Sequence, residues 1–251
     1  MRKIGTVSLS RTVGIIGCGV MGSAIAGFLP GEKLVGFDNN REKVEALGIS
    51  VADSVEALVD AVDCVLLAIK PQNFREMKVD FKDKLVVSIM AGVKLADLPA
   101  RVVRVMPNLG ARVGKSVNAF ICGDVSADDK IFVKNLLEKF GVAIEVKSDD
   151  EIDKMTALFG CGPAYLYLFL DALMEKGLEF GFDEKLLDKA LPVFVDGAMG
   201  ALQGLSPKEA ISKVESKGGT TEVALKVLND AAWKDVLKKA AEAAFRRAKE
   251  L

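Results

Sequence analysis

Short apolar runs alternate with segments of helical periodicity over residues 1–149. The runs predict strands at Val13–Ile16, Lys33–Phe37, Cys64–Ala68, Lys84–Ile89, Arg101–Val105 and Val142–Val146. Helical spacing follows Gly19, Asn40, Ser54 and Pro71, and covers Ala127–Lys139. Several strands are apolar throughout, which is typical of a parallel sheet covered on both faces. The pattern therefore predicts a doubly wound α/β domain over residues 1–149.

Strand-like runs end near residue 149, and helical periodicity follows. Helices are predicted at Ile152–Thr156, Pro163–Phe180, Glu184–Leu202, Pro207–Glu215, Thr221–Leu228 and Ala232–Leu251. Gly181 and Gly204 are expected to end two of them. Asp183 and Ser206 then cap the next helices, with Pro207 in a first helical position. Residues 150–251 are expected to form an all-α domain, whose many apolar positions suggest burial against a second copy of the chain.

Composition narrows the class of protein. The 251 residues carry 34 basic and 35 acidic side chains, so a net charge of −1 favours neither nucleic acid nor an anionic membrane. No stretch approaches the ~20 uninterrupted apolar residues of a membrane span. Residues 1–10 lack the long apolar region of a secretory signal, and the cytosol is the expected compartment.

Residue types also restrict the chemistry. The sequence has no histidine, which excludes Ser-His and Cys-His nucleophiles and any histidine-based metal site. The four cysteines form no CxxC pair and lie in or beside apolar segments, so buried free thiols are expected. No metal is expected, and proton transfer would use Lys, Tyr, Thr, Cys, a carboxylate or water.

The first strand leads into Gly17-Cys18-Gly19-Val20-Met21-Gly22, which opens the first helix. In such a turn a dinucleotide pyrophosphate binds at the helix N-terminus. Gly17 makes the tight turn, Gly19 lets the backbone approach the phosphates, and Gly22 lets the helix pack on the strand. The six residues are predicted to bind a nicotinamide or flavin nucleotide in a Rossmann-type domain. An ordinary βα turn is the alternative.

The second strand ends in Asp38-Asn39-Asn40-Arg41. Asp38, with Asn39 beside it, can accept hydrogen bonds from the adenosine ribose, which favours NAD(H) over a cofactor with a 2′-phosphate. Arg41 could pair with that phosphate instead, which leaves NADP(H) open. The alternative for Asp38 is a cap on the following helix.

Two further strand ends are predicted on the same edge of the sheet, where ligands bind. The segment Ala68-Ile69-Lys70-Pro71 would place Lys70 near the cofactor and open a helix at Pro71. Asn108 follows a later strand and could orient the nicotinamide or a substrate, or make an Asx turn.

A loop in the second half reads Ser216-Lys217-Gly218-Gly219-Thr220-Thr221. It offers several backbone N–H groups and two threonine hydroxyls to an anion. A small carboxylate would suit this loop. A plain interhelical turn with a threonine N-cap is the alternative.

Five motifs in this order resemble the pyrroline-5-carboxylate reductase family, over nearly the whole chain after residue 12. They are Gly17–Gly22, Ala68–Gln72, Val105–Asn108, Gly160–Tyr165 and Ser216–Thr221. The resemblance implies reduction of 1-pyrroline-5-carboxylate to L-proline with NAD(P)H, the last step of proline biosynthesis. It also implies a homodimer interlocked through the helical domain, and rings of dimers in many members.

The resemblance assigns roles to the loop as well. Gly218, Gly219 and Thr220 would hold the substrate carboxylate, Ser216 would also belong to the substrate site, and Thr221 would lie near the ring nitrogen. Thr220 and Thr221 are therefore the candidate catalytic residues. A protonated cyclic imine already accepts hydride readily, so the main task left to the protein is positioning.

Departures from the family pattern cluster near the implied substrate. Phe159 and Cys161 replace small hydroxyl residues, Lys217 replaces a proline, and Leu109-Gly110 stands where Thr-Pro is common. Other functions therefore stay open: a reductase of another cyclic imine, a β-hydroxyacid dehydrogenase with Lys154 as its nearest candidate lysine, or a non-catalytic nucleotide sensor.

Overall fold

The computed structural model describes residues 11–29, 32–99 and 101–250. The chain divides into two compact units. The first reaches Cys161 and includes the chain from Ala244 onward, and the second spans Gly162–Ala243. The expectation about a signal in residues 1–10 lies outside the described residues.

One eight-stranded sheet organises the first unit. Its strands are β1 (Val13–Ile16), β2 (Leu34–Phe37), β3 (Ser50–Val51), β4 (Cys64–Leu67), β5 (Leu85–Ser88), β6 (Val102–Met106), β7 (Ser116–Cys122) and β8 (Gly141–Glu145). The spatial order is β3-β2-β1-β4-β5-β6-β7-β8, and all neighbours are parallel except β6 and β7. β1, β4 and β5 are buried at every residue, which accounts for their unbroken apolar sequences.

Helices separate most of the strands. They are α1 (Val20–Gly27), α2 (Arg41–Glu45), α3 (Val55–Ala61), α4 (Pro71–Glu76), α5 (Ala127–Glu138) and α6 (Asp149–Met155). The side chains of Asn40 and Ser54 cap α2 and α3 by accepting a backbone N–H of the first turn. The strand order reverses between β1 and β4, which places the switch point of the fold, and its ligand edge, beside β1.

The second unit is helical, as the periodicity predicts. It contains α7 (Gly162–Glu179), α8 (Glu184–Ala201), α9 (Pro207–Val214), α10 (Thr220–Asp230) and most of α11 (Trp233–Glu250). The predicted punctuation is confirmed: Gly181 and Gly204 have φ of +85° and +76°. Asp183 caps α8, and Ser206 forms a reciprocal capping box with Glu209 at the start of α9.

Apolar side chains of the second unit are largely exposed in the single chain. Among the described residues of α7–α11, the buried ones are Gly177 and Leu187, which pack on each other. Leu168 and Phe194 are 66% and 50% exposed. Asp149–Glu179 is one helical run of 31 residues, and in the described part of the chain it alone has the length and composition that could cross a membrane.

Two strands, β3 and β7, are not predicted from the hydrophobic pattern. β3 has two residues, and β7 interrupts its apolar run with buried Ser116 and Asn118. Ser116 Oγ accepts the Asn108 N–H at 3.0 Å, and Asn118 Nδ2 donates to a carbonyl of α5 at 3.0 Å. A 3₁₀ turn at Leu109–Val113 and the left-handed Gly114 reverse the chain after β6. The sheet is therefore mixed near one edge, not wholly parallel.

The predicted break between Thr156 and Pro163 is wrong. The chain passes through a wide π turn at Thr156–Gly160 and continues into α7. Pro163 is the second residue of α7, and the Phe159 carbonyl, which an N–H at position 163 would otherwise reach, accepts a hydrogen bond from Asn108 Nδ2 instead. Gly160 and Gly162 lower the helical propensity of this segment, because glycine is a poor helix former. For this reason the sequence pattern predicts a helix end here, although the helix continues.

α6 begins at Asp149, earlier than the predicted Ile152, because Ser148 caps it. It belongs to the compact first unit, although composition changes at residue 149. Buried Arg104 on β6 supplies the reason: its guanidinium pairs with Asp149 and, at 3.2 Å, with the buried carboxylate of Asp153. This ion pair attaches the first helix of the C-terminal half to the sheet.

Candidate active site

The ends of β1, β2 and β4 come level at one edge of the sheet. β1 pairs with both neighbours in register through its last residue. Gly17 N–H donates to Phe37 O at 2.8 Å, and Ala68 N–H donates to the last carbonyl of β1 at 2.9 Å. The residues that follow the three strands border a cleft of about 710 Å³.

Seven of the predicted cofactor residues line this cleft: Gly17, Gly19, Asp38, Asn39, Ala68, Ile69 and Lys70. Of the others, Cys18 is buried in the loop, Val20, Met21 and the buried Gly22 lie on α1, Pro71 is the first residue of α4, and Asn108 follows β6. The cleft also has lining residues that the sequence reasoning missed, among them Asn40, Lys43, Asn73 and Glu76. Asn73 and Glu76 follow Lys70 at helical intervals, a signal that could have found them.

The glycine loop has the geometry that a pyrophosphate requires. Gly17 has a φ of +97°, which favours glycine. A Cβ at Gly22 would lie 2.0 Å from Gly17 O, whereas a Cβ at Gly19 would meet no atom within 4 Å. Gly19 is the N-cap of α1 and provides no side-chain cap, so first-turn N–H groups are open to an anion. The loop therefore fits a dinucleotide.

Asp38 links this loop to the end of β2. Its Oδ2 accepts the Cys18 N–H at 2.9 Å, and its Oδ1 accepts the Asn40 N–H at 2.9 Å. Asn40 is the N-cap of α2, so the alternative of Asp38 as the helix cap is wrong. Burial, followed by the charge of Asp38, raises the pKa of the Cys18 thiol to about 11. Cys18 is therefore a neutral thiol, and its backbone N–H makes the contact to Asp38.

The predicted anion loop joins α9 to α10. Gly218 has a φ of +73°, and Gly219 N–H donates to Ser216 O at 2.9 Å. The N-cap of α10 is Gly219, so the alternative of a threonine N-cap is wrong. Gly218 N–H donates to the carboxylate of Glu222 at 2.6 Å. Sequence reasoning missed Glu222, whose reach back to the loop follows from its place in the first turn of α10.

Thr220 and Thr221 are the first two residues of α10. Their backbone N–H groups lie at the positive end of an 11-residue helix, where an anion is stabilised. Thr221 also borders a cavity of about 400 Å³ within the second unit, lined mainly by apolar side chains of α8, α9 and α10. Lys217 is exposed. The loop thus combines free helical donors, one internal carboxylate and two hydroxyls.

Comparison with known proteins gives the family. The family model "Pyrroline-5-carboxylate reductase dimerisation" matches residues 149–251, and "NADP oxidoreductase coenzyme F420-dependent" matches residues 12–92. A pyrroline-5-carboxylate reductase of Aquifex aeolicus is 34% identical over 98% of this chain and 99% of its own length. That of Pisum sativum is 34% identical over 100% of both chains. The chain belongs to the pyrroline-5-carboxylate reductase family.

Solved structures of pyrroline-5-carboxylate reductases have the same fold. The enzyme of Streptococcus pyogenes is 31% identical with a TM-score of 0.88, covering 96% of this chain and 99% of that one. A pyrroline carboxylate reductase of Plasmodium falciparum with NADP bound is 27% identical with a TM-score of 0.86, covering 96% and 97%. The Rossmann-type domain followed by a helical domain is therefore confirmed as the fold class.

One departure from the pyrroline-5-carboxylate reductase pattern has a local explanation. A Cβ at Gly110 would lie 2.4 Å from Lys115 O, so the turn after Asn108 requires glycine there. Asn108 Oδ1 accepts the Gly110 N–H at 3.0 Å, which is the Asx turn considered from the sequence. Its Nδ2 donates to Phe159 O at 3.0 Å, so Asn108 also fixes the π turn. Its contact with nicotinamide stays a prediction.

Lys154 and the four cysteines are the other candidate groups named from the sequence. Lys154 Nζ lies 2.8 Å from Asp150, and this hydrogen bond raises the pKa of the lysine. The four cysteines are free thiols; Cys18 and Cys64 are buried as expected, whereas Cys122 and Cys161 are only partly buried. Burial raises the pKa of Cys64 to about 12. Within residues 11–29, 32–99 and 101–250, no group of three or more cysteine, aspartate or glutamate side chains could hold a metal ion.

Proposed function

We propose that this protein reduces 1-pyrroline-5-carboxylate to L-proline with NAD(P)H. One combination carries the proposal: a glycine-loop cleft and a Gly-Gly-Thr-Thr loop occur in a chain that matches reductases of that name from end to end. Residues 1–149 would bind the nucleotide, and residues 150–251 would bind the substrate and form the dimer.

We assign the cofactor to the cleft beside β1. Gly17, Gly19 and the first turn of α1 would hold the pyrophosphate, and Asp38 with Asn39 would bind the adenosine ribose. This acidic strand end supports a preference for NAD(H) over NADP(H). The other residues proposed to contact the cofactor are Cys18, Val20, Met21, Gly22, Ala68, Ile69, Lys70, Pro71 and Asn108.

We assign the substrate to the loop before α10. The carboxylate would be held by the N–H groups of Thr220 and Thr221, with Ser216, Gly218 and Gly219 shaping the turn. When bound, the reduced nicotinamide supplies the hydride that the C=N carbon accepts. The Thr221 hydroxyl would hydrogen-bond the ring nitrogen and relay a proton from water, which needs no histidine.

We also propose a homodimer in the cytosol. The exposed apolar face of α7–α11 and the long run Asp149–Glu179 would be covered by a second copy, not by lipid. The match of residues 149–251 to a dimerisation family supports this choice. Stacking of dimers into a ring extends the same proposal, and four unpaired cysteines suit a reducing compartment.

The decisive assay follows NADH and NADPH oxidation with 1-pyrroline-5-carboxylate for the parent protein, Thr221→Ala and Thr221→Ser. We expect the parent to turn over and Thr221→Ala to lose at least tenfold in kcat with an unchanged cofactor Kd, because the hydroxyl acts in the proton step. Thr221→Ser keeps the hydroxyl and should retain most of the rate.

Equal rates for the parent and Thr221→Ala would remove the role of Thr221. Cofactor binding without turnover on any cyclic imine would instead support a nucleotide sensor. Oxidation of 3-hydroxy acids without imine reduction would support a hydroxyacid dehydrogenase.

A further inference from the structure

The carboxylate of Asp38 already has three donors around it in the cofactor cleft. Two backbone N–H groups, those of Cys18 and Asn40, hold its oxygens at 2.9 Å each. The third donor is Lys43, whose Nζ lies 3.5 Å from Oδ1. Asp38 is 13% exposed and Lys43 is 50% exposed, and both line the cleft. Asp38 is thus held by two backbone hydrogen bonds, whereas the half-exposed Lys43 makes one long contact with it.

We propose that Lys43 determines whether a 2′-phosphate is accepted, so that Asp38 and Lys43 together read the 2′ position of the adenosine ribose. This inference rests on the proposed use of NAD(P)H. With NADH, Asp38 accepts hydrogen bonds from the ribose hydroxyls while Lys43 stays beside it. With NADPH, the ammonium turns from Asp38 to the 2′-phosphate and offsets the repulsion between two anions.

Because Asp38 is held in place, binding of NADPH requires a cation that can pair with the 2′-phosphate. Two backbone hydrogen bonds prevent the carboxylate from turning away from a phosphate, so Asp38 alone would reject NADPH. Lys43 has a flexible four-carbon stem and sits on the short helix α2, directly after the strand end that carries Asp38. Its 3.5 Å contact lies at the weak limit of a hydrogen bond, so little is lost when it moves.

Arg41, the residue that the sequence suggests for a phosphate, is engaged elsewhere. Its Nε donates to Glu45 at 2.9 Å and its Nη1 to Asp53 at 3.1 Å, on a side chain that is 60% exposed. The hydrogen bond to Glu45, followed by that to Asp53, raises the pKa of Arg41. Arg41 is also not among the residues that line the cleft, so it serves as the matched control.

Lys70 is a second cation of the same cleft, at the end of β4. It lines the same cleft as Gly17 and Gly19 of the glycine loop, where the pyrophosphate common to both cofactors is expected. Removing its charge should therefore weaken NADH and NADPH alike. A selective effect on NADPH is expected from Lys43.

Isothermal titration calorimetry of the full chain with four nucleotides tests the proposal. NADPH and 2′,5′-ADP carry the 2′-phosphate, whereas NADH and ADP do not. We expect Lys43→Met to weaken NADPH and 2′,5′-ADP about tenfold or more, the usual effect of losing a charge-assisted bond, and to change NADH and ADP less than twofold. Arg41→Met should leave all four affinities within twofold of the parent, and Asp38→Asn should tighten NADPH while weakening NADH.

The opposite pattern, with NADPH lost in Arg41→Met and kept in Lys43→Met, overturns the proposal. Equal weakening of all four nucleotides by Lys43→Met also overturns it, since the lysine would then act on the cleft as a whole. These measurements need no substrate, so they remain informative if imine reduction fails. Failure of the parent to bind any of the four nucleotides would refute both the inference and the proposed function.

Discussion

Gly19→Ala is expected to separate cofactor binding from folding. A Cβ at this position meets no protein atom within 4 Å, and the backbone lies at φ −76° and ψ −162°, an extended conformation open to any residue. Alanine reduces the freedom of the unfolded chain, which is worth about 0.4–1 kcal/mol. It is also a poorer N-cap than glycine by a similar amount. The free energy of unfolding should therefore change by less than about 0.5 kcal/mol.

Cofactor affinity should respond far more strongly to Gly19→Ala. The new methyl group would occupy the side of the loop on which the phosphates approach the backbone. Loss of one charge-assisted hydrogen bond to phosphate costs about 1.5–3 kcal/mol, which is roughly a ten- to hundredfold rise in Kd. Urea denaturation followed by circular dichroism, together with calorimetric titration of NADH, measures the two quantities separately.

Gly22→Ala is the matched contrast. Its Cβ would lie 2.0 Å from Gly17 O, a backbone atom in a residue that already has a φ of +97°. The loop must shift, and such overpacking costs about 1–3 kcal/mol of stability or more. If Gly19→Ala is destabilised as much as Gly22→Ala, or binds NADH as tightly as the parent, the assignment of open space at Gly19 to the phosphates is wrong.

Three further outcomes are expected. Glu222→Gln keeps an acceptor for Gly218 N–H but removes a negative charge from the anion loop, so the KM for 1-pyrroline-5-carboxylate should fall about threefold, or roughly 0.6 kcal/mol. Asp129→Asn should lower the free energy of unfolding by about 2 kcal/mol at pH 7, because the buried carboxylate accepts hydrogen bonds from Arg11 and Arg101 at 2.7 and 2.8 Å. Light scattering should give at least twice the 26.8 kDa chain mass.

The pH dependence of Asp129→Asn provides its own check. Burial alone would raise the pKa of Asp129, but hydrogen bonds from Arg101 and Arg11 outweigh burial and hold that pKa well below the ordinary 3.8. A carboxyl with a depressed pKa contributes stability above its unfolded pKa and loses it as the pH falls through the folded one. The difference between parent and variant should therefore shrink below about pH 4. A difference that stays constant from pH 7 to pH 3 would contradict the ion-pair explanation.

Two results would contradict the other expectations of that group. A higher KM in Glu222→Gln would mean that the carboxylate of Glu222 supports the loop more than it repels the substrate. A monomeric mass at micromolar concentration would leave the apolar face of α7–α11 without the proposed partner.

Secondary structure is predicted best from the sequence where burial of apolar side chains alone determines the element. β1, β4 and β5 are apolar throughout because both faces of these strands are buried, and the cleft residues at their ends follow from the order of the chain. β7 is not predicted because its buried residues Ser116 and Asn118 are polar, and polar residues in a sequence usually indicate an exposed surface. Ser116 Oγ accepts the Asn108 N–H and Asn118 Nδ2 donates to Leu137 O, so each bond joins β7 to a neighbouring segment that an alternation pattern along one strand does not register.

Residues that act through tertiary geometry could not be found in the same way. Lys43 lines the cleft because α2 begins immediately after Asn40, which places the third residue of this helix 3.5 Å from Asp38. Arg104 is a polar interruption in an apolar strand, and its partners, the partly exposed Asp149 and the buried Asp153, lie on α6, far along the chain. The hydrophobic pattern of one sequence does not indicate which distant residues form such pairs.

The two edges of the sheet constrain how copies of this protein can meet. β3 offers two residues of unpaired backbone at one edge. At the other, β8 has five residues and carries Glu145 in an ion pair with Lys130. A very short strand and a charged one are both poor templates for an added strand from another molecule. Growth of a continuous intermolecular sheet is thereby disfavoured, so ordered association is left to the helices.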